Sequence, residues 1–220
     1  MPSRFTVLVP AHNEERTIGR LLAGLAPPPG REAEFEVIVL CNDCTDATAA
    51  RAIEAMPQAR VVQIPEPGKA NAINRGLDLA HAGPVLVVDA DIRVDFAALA
   101  AVAECLRDGR TMIAAPALAV DWSRASRWVR AYYRVWLTQP YVTEDLTGSG
   151  VFGLSREGIA RLGRLPAIIA DDAYARSRFA QAERLSVSLC AEGRDTSFTV
   201  TAPADLRSLL RIEARRRAGD

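Results

Sequence analysis

Five short apolar runs separated by helical patterns constrain this chain more than any other feature. Phe5–Pro10, Phe35–Cys41, Arg60–Ile64, Pro84–Asp89 and Met112–Pro116 read as strands. Between them, Glu14–Leu25, Asp46–Met56, Lys69–Ala82 and Asp95–Arg107 read as helices. In the first of these, Ile18, Leu21, Leu22 and Leu25 recur at helical spacing, and Asn13 supplies a capping side chain ahead of them. Strands that are apolar on both faces need cover on both faces. That arrangement is a mostly parallel sheet with helices on either side, an α/β fold with a Rossmann-like first half.

After Pro116 the rhythm changes. Trp122–Gln139 is a helical pattern that sets Trp128, Tyr132 and Trp136 on one stripe, which by pattern alone is more often core. Val151–Leu154 is a strand and Arg156–Leu162 a helix, and another helix begins near Asp171. Leu185–Ala191 and Ser197–Thr201 are strand-like, and Ala204–Arg217 is a last helix rich in arginine. Neither a repeat nor a linker divides the chain. One domain over 1–220 is expected, with 1–115 a nucleotide-binding half and 116–220 a smaller region building the opposite wall.

Length and charge exclude several classes. A chain of this size buries roughly three quarters of its unfolded surface, so no disulfide or metal staple is required. No apolar run reaches the roughly 20 residues of a membrane span, and the opening segment reads as a strand rather than a signal peptide. A cytoplasmic protein is expected, with contact at the inner face of the membrane left open by Arg124, Arg127, Arg130 and Arg134 beside the aromatic stripe. The 27 basic and 27 acidic residues cancel, which removes general nucleic-acid binding. Lys69 is the sole lysine among them. Cys41 and Cys44 have C-x-x-C spacing, but Cys105 and Cys190 stand apart without nearby histidine, so reduced thiols are the plainer reading.

Val85-Leu86-Val87-Val88-Asp89-Ala90-Asp91 carries the most chemistry. Side chains on a strand alternate, so Asp89 and Asp91 share a side. They sit at a carboxyl strand end, where open α/β sheets bind ligands. Two hard oxygen donors in an open site suit Mg²⁺ or Mn²⁺, with phosphates completing the shell. Alone, D-x-D is equally a turn cap beside a solvated acid.

Three further segments stand in register with it. Val9-Pro10-Ala11-His12-Asn13-Glu14-Glu15 forms the first strand-to-helix turn. Val39-Leu40-Cys41-Asn42-Asp43-Cys44-Thr45-Asp46 forms the second. Gly68-Lys69-Ala70-Asn71-Ala72-Ile73-Asn74-Arg75-Gly76-Leu77 opens the third helix. In this order and at these intervals, the four resemble family 2 glycosyltransferases with the GT-A fold, closely over residues 5–95 and more loosely to about 180.

The resemblance implies a fold, an activity and a set of roles. Pro10, Ala11 and Glu14 would line the nucleotide pocket. Asn42 stands where the family reads the base with an acid; an amide can bond a uracil edge, and Asp43 is beside it to compensate. Lys69 would lie near the donor diphosphate. Asp91 would ligate the metal, while Asp89, with Ala90, would face the ribose or the metal's waters. Gly148, Ser149 and Gly150 resemble the acceptor loop. Of the following Asp171-Asp172 pair, Asp172 would be the general base. Thr143-Glu144-Asp145 mimics that pair but precedes the loop. Helix-start acids favoured by the macrodipole are the plain alternative for Asp171 and Asp172.

The expected reaction is inverting transfer of a single sugar, from a UDP-sugar by preference, to an acceptor that is a glycan, lipid or small molecule. All three tryptophans precede Asp172, so the Q-x-x-R-W motif of processive synthases is missing. Gly148–Gly153 also matches the dinucleotide pattern G-x-G-x-x-G, without the apolar strand that should precede it. Two rivals stand beside the enzyme. One is a non-catalytic sugar-nucleotide-binding module of the same fold. The other is a sugar nucleotidyltransferase, which would want glycine and arginine in the Pro10–Glu15 turn.

Overall fold

The computed structural model describes residues 5–81, 83–139, 142, 150–167, 171–190 and 193–218, with side chains to residue 214. Eight strands form the sheet: β1 (Phe5–Ala11), β2 (Phe35–Asn42), β3 (Arg60–Ile64), β4 (Val85–Val88), β5 (Ile113–Asp121), β6 (Val151–Leu154), β7 (Arg184–Val187) and β8 (Ser197–Thr201). Their order is β3-β2-β1-β4-β6-β5-β7, with β8 beside the second half of β5. Every pairing is parallel except those of β6, which runs against both β4 and β5.

Alternation along the strands divides the core in two. Val7, Val9, Val37, Val39, Leu86 and Val88 face α1 (Ile18–Gly24), α2 (Thr48–Ala55) and α4 (Phe96–Cys105). Their neighbours Leu8, Ile38, Leu40, Val85 and Val87 face the other way. There they meet α3 (Lys69–Leu79), α6 (Arg156–Leu162) and α7 (Asp171–Ser177). Each such fully buried side chain contributes about 1.5–3 kcal/mol of hydrophobic stabilisation. Gly76 sets how closely α3 lies: a Cβ there would come within 2.8 Å of Leu8 and Leu40 methyl carbons.

A smaller third cluster holds Ala125, Val129, Tyr133, Ala202 and Leu209 between α5 (Arg127–Trp136) and α8 (Leu206–Ala218). This layer is fastened to the turn after β4. Arg93 and Thr199 exchange backbone hydrogen bonds of 3.0 and 2.7 Å, and the Arg93 guanidinium pairs with Asp121 at 2.6 Å.

Four sequence expectations are corrected. The first helix begins at Ile18 rather than Glu14, because residues 13–15 are engaged across the sheet edge. Asn13 Oδ1 accepts from Thr45 N at 2.8 Å, Thr48 Oγ1 accepts from Glu14 N at 2.7 Å, and Asp46 accepts from Glu15 N at 3.1 Å. β5 continues past Pro116 to Asp121, its second half paired with β8. β7 ends at Val187. The aromatic helix is Arg127–Trp136; its buried residues are Val129 and Tyr133, Tyr132 and Trp136 of the expected stripe pack partly buried against them, and Trp128 lies exposed.

Candidate active site

The carboxyl ends of β1, β2 and β4 carry the turns that the sequence singled out. Lys69, the first residue of α3, joins the last of them to the start of α7. Its ammonium lies 2.7 Å from Asp89 Oδ1 and 3.0 Å from Asp171 Oδ1, spanning the end of β4 and the start of α7. Burial opposes the charge on Lys69, but the two carboxylates outweigh it and push its pKa up. Asp171 is 2 % exposed, and its Oδ2 is a buried oxygen that no hydrogen bond from the described residues satisfies.

Three other carboxylates share this field. Asp172, half-buried, accepts from Ala173 N at 2.7 Å, and its pKa is raised to about 6 by burial first and by Asp171 second. Asp91 is raised by burial and then by Asp89. Glu14 is raised by burial, despite a hydrogen bond from Thr17, and then by Asp91 and Asp89. Five carboxylates around one lysine leave an excess of negative charge.

That excess suits a hard cation, and the donor chemistry fits one. Among the described residues no three metal-ligating side chains converge. Asp89 and Asp91 therefore offer two carboxylates, and the remaining ligands would be phosphate oxygens and water, as Mg²⁺ and Mn²⁺ accept. Gly150 keeps this place open. At φ +108°, it sits where a Cβ would meet Ile92 Cγ2 at 3.0 Å and Asp89 Oδ2 at 3.6 Å, and its carbonyl accepts from Asp89 N at 2.8 Å. Gly148 and Ser149, like Asp145, lie outside the described residues.

The predicted donor residues divide. Glu14, Lys69 and Asp89 belong to the charged cluster. Pro10, Ala11 and Ala90 are buried, and Ala11 and Ala90 belong to the core rather than to the cluster. Asn42 is committed elsewhere. Its Nδ2 donates to Glu66 O at 2.6 Å and its Oδ1 accepts from Gly68 N at 2.9 Å, and the residue is 5 % exposed. It fastens the loop that delivers Lys69. Asp43 beside it is exposed and held at φ +48°.

Two participants were not legible in the sequence. Arg20 on α1 donates to Asp91 O at 3.1 Å, and nothing local marks it among 26 arginines. Asn74 on α3 makes a paired hydrogen bond with the Leu165 backbone, at 2.9 and 2.8 Å, tying α3 to the segment before α7. Cys41 is buried, which with Cys44 pushes its thiol up to about 12, and all four cysteines are free. A depression of about 410 Å³ between α1 and α2, lined by Glu15, Arg16, Arg20 and Arg51, contains none of the clustered acids.

Comparison with known proteins bears on this geometry. The model of the family described as glycosyl transferase family 2 matches residues 6–154. Uncharacterised glycosyltransferases of Mycobacterium bovis and Mycobacterium tuberculosis are 36 % identical over 90 residues, 41 % of this chain and 38 % of theirs. The matched stretch is thus well under half of those relatives' length. Among solved structures, a mannosyltransferase from Pyrobaculum calidifontis in complex with GDP-Man and Mn²⁺ superposes with a TM-score of 0.70 at 23 % identity, over 97 % of this chain and 61 % of that one. The glucosyl-3-phosphoglycerate synthase of M. tuberculosis, in complex with Mn²⁺, UDP-glucose and phosphoglyceric acid, gives 0.65 at 20 % identity, over 96 % and 76 %. At these identities the likeness establishes the fold, which is GT-A.

Proposed function

We propose that this chain, which belongs to glycosyl transferase family 2, moves a single sugar from a nucleotide-sugar donor to an acceptor hydroxyl with inversion at the anomeric carbon. The observation that carries the reading is the Lys69 bridge. One ammonium contacts Asp89 of the D-x-D turn and Asp171 beside the prospective base, at 2.7 and 3.0 Å. Donor-side and acceptor-side acids thereby meet at one point, as group transfer requires.

The roles follow from the chemistry of each group. Asp172 takes the proton of the acceptor hydroxyl as its oxygen bonds to the anomeric carbon. The bond from that carbon to the diphosphate breaks, and the charge departs on phosphate. Lys69 supplies a fixed positive charge for that departing group. Asp89 and Asp91 would hold Mg²⁺ or Mn²⁺, which when bound contributes Lewis-acid stabilisation of the diphosphate. A single base with no covalent intermediate gives inversion.

A uridine donor remains the favoured reading, with one change of detail. Both ends of the Asn42 amide are occupied by the 66–68 loop, so Asp43, exposed at the same strand end, is the better candidate for the base edge. The acceptor's class stays open among glycan, lipid and small molecule.

A thermal-shift screen of UDP-, GDP- and dTDP-sugars, each with Mn²⁺ and with EDTA, tests the reading. A ligand bound only by the native state raises the melting temperature by mass action, worth about 2.7 kcal/mol at a hundredfold excess over Kd. A manganese-dependent shift with one nucleotide is expected. Uniform silence from a folded sample would remove the donor site, and a shift without any transfer product would favour a binding module.

A further inference from the structure

α5 and α8 are adjacent helices with opposite sides of unlike character. Their inner sides share one buried cluster through Val129, Tyr133 and Leu209. Their outer sides are unusually apolar for solvent. Trp128 and Val135 on α5 are 61 % and 64 % exposed, and Leu206 and Leu210 on α8 are 46 % and 61 % exposed. Scattered exposed apolar residues need no explanation. These four, however, are a majority of the seven large exposed hydrophobic residues described, and they sit on two helices that touch.

Charge is distributed as unevenly. Residues 122–139 and 204–218 hold nine arginines against two acids in a chain of zero net charge, so the rest of the molecule is net acidic. Arg127, Arg134, Arg207 and Arg211 are exposed. At helical spacing Arg127, Ala131, Arg134 and Val135 share the outer side of α5 with Trp128. The Arg127 guanidinium stacks 5.0 Å from the Trp128 ring centroid. A cation seated on an indole is suited to a boundary where hydrocarbon meets phosphate.

We propose that the α5–α8 surface docks the protein onto a bilayer bearing anionic lipid headgroups. Trp128, Val135, Leu206 and Leu210 enter the interfacial region while the arginines meet headgroup phosphates. A second copy of the chain is the poorer occupant, because a two-fold contact would set this arginine-rich surface against itself. A nucleic acid would use the arginines and leave the aliphatic side chains without a partner. No described helix is long and apolar enough to cross a membrane, so the contact is peripheral in kind. Through Arg93, paired with both Thr199 and Asp121, the docking layer is tied to the turn that carries Asp91. The proposal rests on this surface and not on the transfer reaction, so either can fail alone.

Co-sedimentation of the full chain with vesicles tests it, using phosphatidylcholine alone and phosphatidylcholine containing about 30 % phosphatidylglycerol. Binding to the anionic vesicles only, weakening with added salt, is expected. Each of Arg127, Arg134, Arg207 and Arg211 changed to Gln should reduce partition about fivefold. Trp128→Ser with Leu210→Ser should reduce it at least as much while the thermal melt, which reports folding, stays unchanged. The salt titration of the unaltered protein serves if a variant fails to fold. Equal binding to both vesicle types would overturn the proposal. So would indifference to Trp128→Ser and Leu210→Ser, which describes a simple polyanion site, or a dimer abolished by the same substitutions.

Discussion

Asp172 and Lys69 decide most of what this site can do. An ordinary aspartate is ionised above about pH 4, whereas Asp172 is raised to about 6 by burial and by its neighbour Asp171. A base must be ionised to act, so transfer should fall as pH drops through about 6. Asp172→Asn should lower the rate on the order of 10²–10⁴-fold and abolish that limb while donor binding persists. Stability moves the opposite way. Because folding penalises the ionised form, Asp172 itself should contribute a loss of stability as pH rises from about 4 to about 6, so that Asp172→Asn gains on the unaltered protein over that range. A pH series of denaturant melts reads this directly. Lys69→Met addresses the bridge. It strands Asp171, 2 % exposed, as an uncompensated carboxylate, while Lys69 itself is 37 % exposed. Loss of one partner from a buried pair costs about 3–5 kcal/mol, and access of solvent to Lys69 brings the expectation down to about 1–3 kcal/mol. Lys69→Met combined with Asp171→Asn should recover most of the loss, and a double-mutant cycle without coupling would refute the bridge. The types and spacings of these residues were legible in the sequence. The 2.7 Å contact to Asp89 was not, since nothing in a one-dimensional pattern says that a lysine reserved for phosphate will rest on two acids.

At the scale of elements, the first five strands were readable because solid apolar runs admit few alternatives. Boundaries were less so. α1 starts late because Asn13, Glu14 and Glu15 are drawn into bonds with the second turn, a competition between partners 31–34 residues apart in sequence. The aromatic helix was legible in part. Of the stripe, Tyr132 and Trp136 pack against the cluster that buries Val129 and Tyr133, while Trp128 lies exposed. A stripe indicates amphipathicity without saying which side finds a neighbour. Among the elements, α3 links the candidate site together, carrying Lys69 at its start and Asn74 against the Leu165 backbone. Asn74→Ala would leave a buried N–H and C=O unpaired, at about 1–3 kcal/mol each. Chemical denaturation should show the loss. Faster hydrogen exchange in the segment before α7 should accompany it, and an unchanged exchange pattern would argue against a positioning role.

For the whole molecule, we propose that the two halves fold as one unit. Val187 and Phe198 from the second half share a core cluster with Phe5 and Val7 from the first. Denaturant unfolding should therefore be a single transition, coincident by fluorescence and by far-ultraviolet circular dichroism. Two separated transitions would show that the halves are independent domains. The lack of a linker led to the expectation of one continuous domain, but nothing in the sequence said that β6 enters the sheet against its neighbours. That reversed strand has a wider consequence. The chain leaves the sheet after Asp121 at the end of β5 and rejoins it at Val151 in β6, and β pairing fixes both of those ends. Closing an excursion costs only slightly more as it lengthens. A change of length between those two ends should therefore leave the register of the strand that leads to Asp89 and Asp91 in place.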